Sequence, residues 1–207
     1  MGHKRNANQS KKIREEAIFE AACTVIRDKG FHQARMIDIA RQAGVSYGLV
    51  NHYFRSKADL FDAIAKEWWD GLYSTIDSCE ALASTIEERL AIIVNYFLDL
   101  YEKKPDLVHV FITEISRSSA NLTPSGLAYF KRFFDRTEQM IAQAQSTGNL
   151  RSDIRARYLT YIFFGALESF LSTMVLENQP FAGGTQKQRI ASGLLEVFFN
   201  GASARQG

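Results

Sequence analysis

Tyr47, Gly48, Asn51 and His52 carry the chemistry most readily assigned in this chain. On a helix these positions fall on one side, at the spacing that makes residues three and four apart neighbours. An aromatic ring, a glycine, a carboxamide and an imidazole then face the same way. Tyr47 and His52 can stack or hydrogen-bond, Asn51 can pair with adenine or meet a phosphate, and Gly48 permits close backbone approach. Such a set suits a helix laid in the major groove of DNA, provided the surrounding sequence turns it outward.

The flanking residues meet that condition. Ile37, Ile39, Ala40 and Ala43 give a preceding helix an apolar side, and Gly44 supplies the positive φ at which a helix ends without a Cβ penalty. Ser46 is placed as the N-cap of a second helix, from about Tyr47 to Tyr53, which buries Val50 and Phe54. Upstream, Ala17, Ile18, Ala21, Ala22, Val25 and Ile26 repeat at helical spacing over about Lys12 to Lys29. Gly30 ends that helix, with Phe31 folding back on its last turn. Residues 1–10 are polar and aperiodic and read as a loose arm, where Lys4 and Arg5, like Lys11, Lys12 and Arg14 just after it, offer nonspecific phosphate contacts. Downstream, Ser56 to Asp59 has the form of a capping box that opens a long helix, about Lys57 to Ser78, through Phe61, Ile64, Trp68 and Leu72. Its N-terminal amides and Lys57 together suit a DNA phosphate.

This stretch resembles the tetracycline-repressor family of bacterial transcriptional regulators. The resemblance rests on Ile39-Ala40, Ala43-Gly44-Val45-Ser46, Gly48, Tyr53-Phe54, Lys57 and Leu60, in the order and spacing of the family pattern, and directly covers Glu16 to about Ile64. Where members often open the first helix of the motif with threonine, this chain has Arg35; where a threonine and a tyrosine often contact phosphates, it has Leu49 and Asn51. The DNA-facing set is therefore Arg35, Ser46, Tyr47, Gly48, Leu49, Asn51, His52, Tyr53 and Lys57. The resemblance implies a symmetric dimer whose body takes up a small molecule and thereby releases DNA.

Composition agrees with that class. With 46% hydrophobic residues and only three prolines, and no sustained period-2 alternation, the chain reads as all-α, about nine helices. A helix-turn-helix head over 1–55 and a ligand-binding and dimerisation domain over 56–207 are expected. Up to Leu60 there are eleven Lys or Arg against six Asp or Glu; beyond it, fourteen against seventeen. A basic head on a mildly acidic body is what DNA binding by one end would show. Cys23 and Cys79 lie in helical patterns without partners at metal spacing, and read as buried small hydrophobes of a reducing cytoplasm. The charged N-terminus does not fit a signal peptide, and no apolar run approaches the roughly 18 residues of a membrane span. Neither a nucleophile elbow, a phosphate loop nor an HExxH pair occurs, and His109 and Glu114 are poorly spaced for a shared metal. An enzyme is not expected, nor a metal or cofactor.

In the body, helices are expected at Thr85–Lys103, from Pro105, from Leu127 to about Gly148, from Asp153 to about Glu177 and from Lys187 to about Phe199, with a loop over Asn121–Gly126. Tyr161 to Leu167 is hydrophobic on every side and needs burial on more than one face. Ile162, Gly165, Ala166 and Ser169, with Ile190, Leu194, Leu195 and Phe198 of the last helix, suggest a self-complementary interface that makes a four-helix bundle of two copies. Such a dimer reads an inverted repeat in double-stranded DNA. Trp68, Phe97, Phe111, Phe130, Phe134, Phe164 and Leu167 supply large side chains for an apolar cavity, with Glu114 and Glu168 as polar members. Parts of the C-terminal half, from Gly148-Asn149-Leu150 to Phe181, resemble acyl-CoA-responsive fatty-acid-degradation repressors of the same family. That makes a long-chain acyl-CoA or fatty acid the first effector to consider, with a multidrug-type hydrophobic cation or aromatic compound next. The other reading is a protein-binding adaptor of the same fold without operator binding.

Overall fold

The computed structural model describes residues 2–116, 124–181 and 183–202. Among these are nine α-helices, one π-helical segment and no strand. The chain divides into two compact units, one of Met1–Trp68 with Asp106–Asn121, the other of Trp69–Pro105 with Leu122–Gly207. The first unit thus takes in the start of the long helix that follows the helix-turn-helix, as far as Trp68, and a segment distant in sequence joins it.

In the first unit, α1 (Gly2–Gln33) is bent at Gly30, whose φ of 74° and ψ of 157° no helical residue adopts. The helix bends where the sequence placed the break, and it runs back through the expected arm to Gly2. Helix α2 (Met36–Gln42) packs on it and α3 (Tyr47–Tyr53) on α2, and α4 (Lys57–Leu82) begins in this unit. Ile18, Ala22, Ile26, Ile39, Ala40, Val50, Leu60 and Ile64 form the core. Asp106 binds this core's rim: Thr24 Oγ1 donates to it at 2.7 Å and Arg27 forms an ion pair with it. It lies in α6 (Pro105–Val110), where Pro105 opens the helix at a position that has no use for its missing N–H. From Phe111 to Ser116 the chain continues as a π-helix, not the α-helix its periodicity suggests.

In the second unit, α5 (Ile86–Lys103) starts at a full capping box between Thr85 and Glu88 and packs against α7 (Pro124–Ser146), α8 (Ala156–Glu177) and α9 (Gly184–Ala202). The expected loop over Asn121–Gly126 ends at Pro124, which opens α7; residues 121–123 lie outside the described ones. Asn178, in the left-handed region at φ 49°, caps α8, and the Tyr101 hydroxyl lies 3.0 and 2.8 Å from the carbonyls of Met174 and Gln179 there. Leu90, Ile93, Phe97, Ile141, Phe163, Phe164, Leu167 and Leu171 fill the centre. By length and composition α8 is apolar enough to cross a membrane, with half of the relevant window buried. Thr160, Glu168 and Ser169 interrupt its apolar run in sequence, and the helix reaches a mean hydropathy of 1.5 only as an average, as core helices also do.

Candidate nucleic-acid interface and effector region

Two backbone bonds define the turn of the motif. Val45 N–H reaches Ala40 O at 3.0 Å and Gly44 N–H reaches Arg41 O at 3.2 Å, with Gly44 at φ 67°. These are the 6→1 and 5→2 bonds of a helix stop with a left-handed residue, the conformation the sequence assigns to Gly44. Ser46 Oγ then accepts from Leu49 N–H at 3.2 Å and caps α3. Val50 is fully buried and Phe54 nearly so, which fixes the rotation of α3 and leaves Tyr47, Gly48 and His52 exposed. Leu49, Asn51 and Tyr53 are half-buried. His52 packs edge-on against Tyr53, and the Tyr53 hydroxyl donates to Lys11 O at 3.3 Å.

Lys57 sits differently from a side chain reaching only for phosphate. Its ammonium donates to the carbonyls of Phe31 and His32 at 2.6 and 3.0 Å and lies 4.6 Å from the Phe31 ring centroid. Two of its three donors thus close the bent end of α1. Next to it, Ser56 Oγ accepts from Asp59 N–H at 3.0 Å, so the expected cap of α4 is present.

Arg35 is exposed at the N-cap of α2 with no side-chain capping bond. Asp38 of the same helix pairs with Lys29 at 2.9 Å, and the hydrogen bond from Lys29 holds its carboxyl below the usual range. The apolar side assigned to α2 needs one correction. Ile39 and Ala40 are buried, but Ile37 is 47% exposed and lines an open cleft with Tyr47 instead.

The residues expected around an effector fall into both units. In the first, the Trp68 indole stacks on Phe111, and Glu114 Oε1 lies 3.5 Å from where a Cβ on Gly30 would be. In the second, Phe134 packs on Phe130 and Phe164 at centroid distances of 4.5 and 5.4 Å, and Phe97 meets Phe164 at 6.4 Å. Sequence reasoning omitted two members of this cluster, Trp69 and Phe133. Phe133 is buried 4.7 Å from Phe164, and Trp69 packs against Phe130 and Phe133 at 6.1 Å. Trp69 could have been found, since adjacent residues on a helix are about 100° apart and cannot serve one face. Glu168 is exposed, and Leu167 is buried with the α8–α9 pair.

That pair leaves an apolar groove of about 500 Å³, lined among others by Ile162, Ala166, Leu167, Ile190, Leu194, Val197 and Phe198. Ile162 is 56% exposed and Val197 77%, and Gly165, Ala166 and Ser169 lie open on the same helix. Leu194 and Leu195 are half-buried, whereas Phe198 turns inward onto Phe163 at 5.2 Å. Among the described residues no group of His, Cys, Asp and Glu could hold a metal ion.

Comparison with known proteins agrees with both units. The family profile described as bacterial regulatory proteins, tetR family, matches residues 18–64, and the one described as YsiA-like protein, C-terminal region, matches residues 68–195. Over 164 residues the chain is 24% identical to the fatty acid metabolism regulator protein of Bacillus subtilis (strain 168), covering 79% of this chain and 84% of that one. The fold is similar to that of the fatty acid degradation regulator FadR from Bacillus halodurans, with a TM-score of 0.79, 22% identity and coverage of 93% and 97%. It is also similar to the transcriptional regulator FadR from Bacillus subtilis in complex with stearoyl-CoA, with a TM-score of 0.73, 22% identity and coverage of 90% and 98%.

Proposed function

The chain belongs to the tetR family of bacterial transcriptional regulators, DNA-binding proteins rather than enzymes, and on that premise we propose that it is a homodimeric repressor released from DNA by an acyl-CoA. The observation that carries the DNA half is the outward set of α3, held by the Gly44 stop and the Ser46 cap. Phosphate contacts from Arg35 and the remaining donor of Lys57 would position the helix, while Tyr47, Asn51 and His52 reach base edges across Gly48.

The open apolar groove of α8 and α9 supports the dimer. Ile162 and Val197 leave more apolar surface in water than a lone chain needs, and a two-fold copy covers it as a four-helix bundle. Two heads then meet two half-sites one helical turn apart, in an inverted repeat. Such a protein works where the chromosome is, in the cytoplasm.

The likeness to relatives named for fatty acid metabolism, one of them bound to stearoyl-CoA, supports an acyl-CoA effector. The aromatic cluster around Phe133 and Phe164 offers apolar lining for an acyl chain. For release, the effector must bind the DNA-incompetent arrangement more tightly, and DNA must weaken effector binding by the same factor.

The test is fluorescence anisotropy on the duplex upstream of the protein's own coding sequence, with sedimentation of the same sample. Expected are a dimer, affinity that falls steeply with salt, and release by stearoyl-CoA but not by coenzyme A alone. A monomer, or binding indifferent to sequence, would sink the DNA reading; release by neither compound would sink the effector.

A further inference from the structure

Resting on the operator binding proposed above, we infer that Ile37, in one cleft with Tyr47, reads the methyl group of a thymine in each operator half-site, next to the base pairs met by α3. The inward side of α2 is already occupied by Ile39 and Ala40, so nothing in the packing of the head requires an isoleucine at 37. Ile37 nevertheless stands 47% exposed, as does Tyr47. With Met36 and Arg35 they line an open cleft of about 410 Å³. A single exposed aliphatic residue signifies little, but here three apolar side chains converge on the face that presents α3.

The chemistry limits what can fill that cleft. Ile37 has no donor or acceptor, so phosphates, guanine, cytosine and adenine edges give it nothing. The one apolar feature of the major groove is the C5 methyl of thymine. Arg35 on the rim supplies a cation for the neighbouring backbone, which fits a nucleic acid and not an apolar ligand. Tyr47 begins α3, and the first residues of a recognition helix are the ones brought to base edges, so a side chain lining the same cleft as Tyr47 reaches the same groove wall.

The experiment uses the full chain and an operator selected by it from a random duplex library. Each thymine is replaced in turn by deoxyuridine, which removes the methyl and leaves every hydrogen-bonding group. At one thymine per half-site, affinity should fall about fourfold, the value of one buried methyl group. The Ile37→Ala protein should bind the unmodified operator more weakly and lose its sensitivity at that thymine. The ratio is taken within each protein, so any change in folding cancels. Absence of a methyl effect at every thymine overturns the inference, as does an Ile37→Ala protein that keeps the same ratio.

Discussion

The indole of Trp68 lies flat on the ring of Phe111, with centroids 3.7 Å apart and planes 9° apart. Trp68 is the last residue of its stretch in the first unit, and Phe111 opens the π-helix of the segment that joins it. Its neighbour Trp69 packs instead with Phe130 and Phe133 of the second unit. Phe111→Ala is expected to cost about 2–4 kcal/mol, below the upper range for a phenylalanine because Phe111 is only half-buried. Emission of Trp68 should shift to the red in a Trp69→Phe background. Urea unfolding and the emission maximum check this; an unshifted Trp68 would mean that the stack does not shield it.

Gly71 and Tyr96 form a second close relation. A Cβ on Gly71 would come within 2.0 Å of the Tyr96 hydroxyl. Alanine in a helix interior normally gains about 1 kcal/mol over glycine. With Tyr96 in place that gain should be cancelled or reversed, and in a Tyr96→Ala background Gly71→Ala should stabilise. A double-mutant cycle should give a coupling of about 1 kcal/mol or more. Additive effects would show that Tyr96 moves aside freely.

Arg35 and Lys57 should separate by what they change. Arg35→Gln, at an exposed position without a capping bond, is expected to reduce the slope of log affinity against log salt by about 0.9 per protomer and leave the melting temperature alone. Lys57→Gln removes the donor to Phe31 and His32 and should cost about 1 kcal/mol of stability. Titrations from about 50 to 200 mM salt, with thermal melts, decide between these effects. An Arg35→Gln protein of unchanged slope would remove Arg35 from the phosphate contacts.

Local signals were legible and long-range ones were not. Gly44 and Ser46 announce a helix stop and a cap in the sequence because each acts on its own neighbours. The rotation of α3 follows from Val50 and Phe54 alone. Ile37 was misread because a seven-residue helix has room for few buried positions, and periodicity does not say which apolar residue is left outside. The attachment of Asp106 to the head depends on contacts some 80 residues apart, and nothing in the local pattern encodes them. Lys57 illustrates both cases. Its place at the start of α4 could be read, whereas its bonds to the end of α1 depend on how the two helices meet.

His109 gives the head a dependence on pH. Its Nδ1 is buried without a hydrogen-bond partner. Burial lowers its pKa below the ordinary 6.5, and Arg27 adds to the lowering. Asp106, Glu114 and Asp28 pull the other way without offsetting it. Between the lowered value and about 6.5 the unfolded chain binds the proton more readily than the folded one, so stability rises with pH across that window. The contribution is complete above about pH 6.5 and is lost as pH falls through the lowered value. His109→Gln, which cannot take the proton, should flatten this part of the curve. Urea midpoints measured for both proteins between about pH 5 and 8 give the difference directly, and a difference that grows on the alkaline side would show that the imidazole is favoured in its charged form after all.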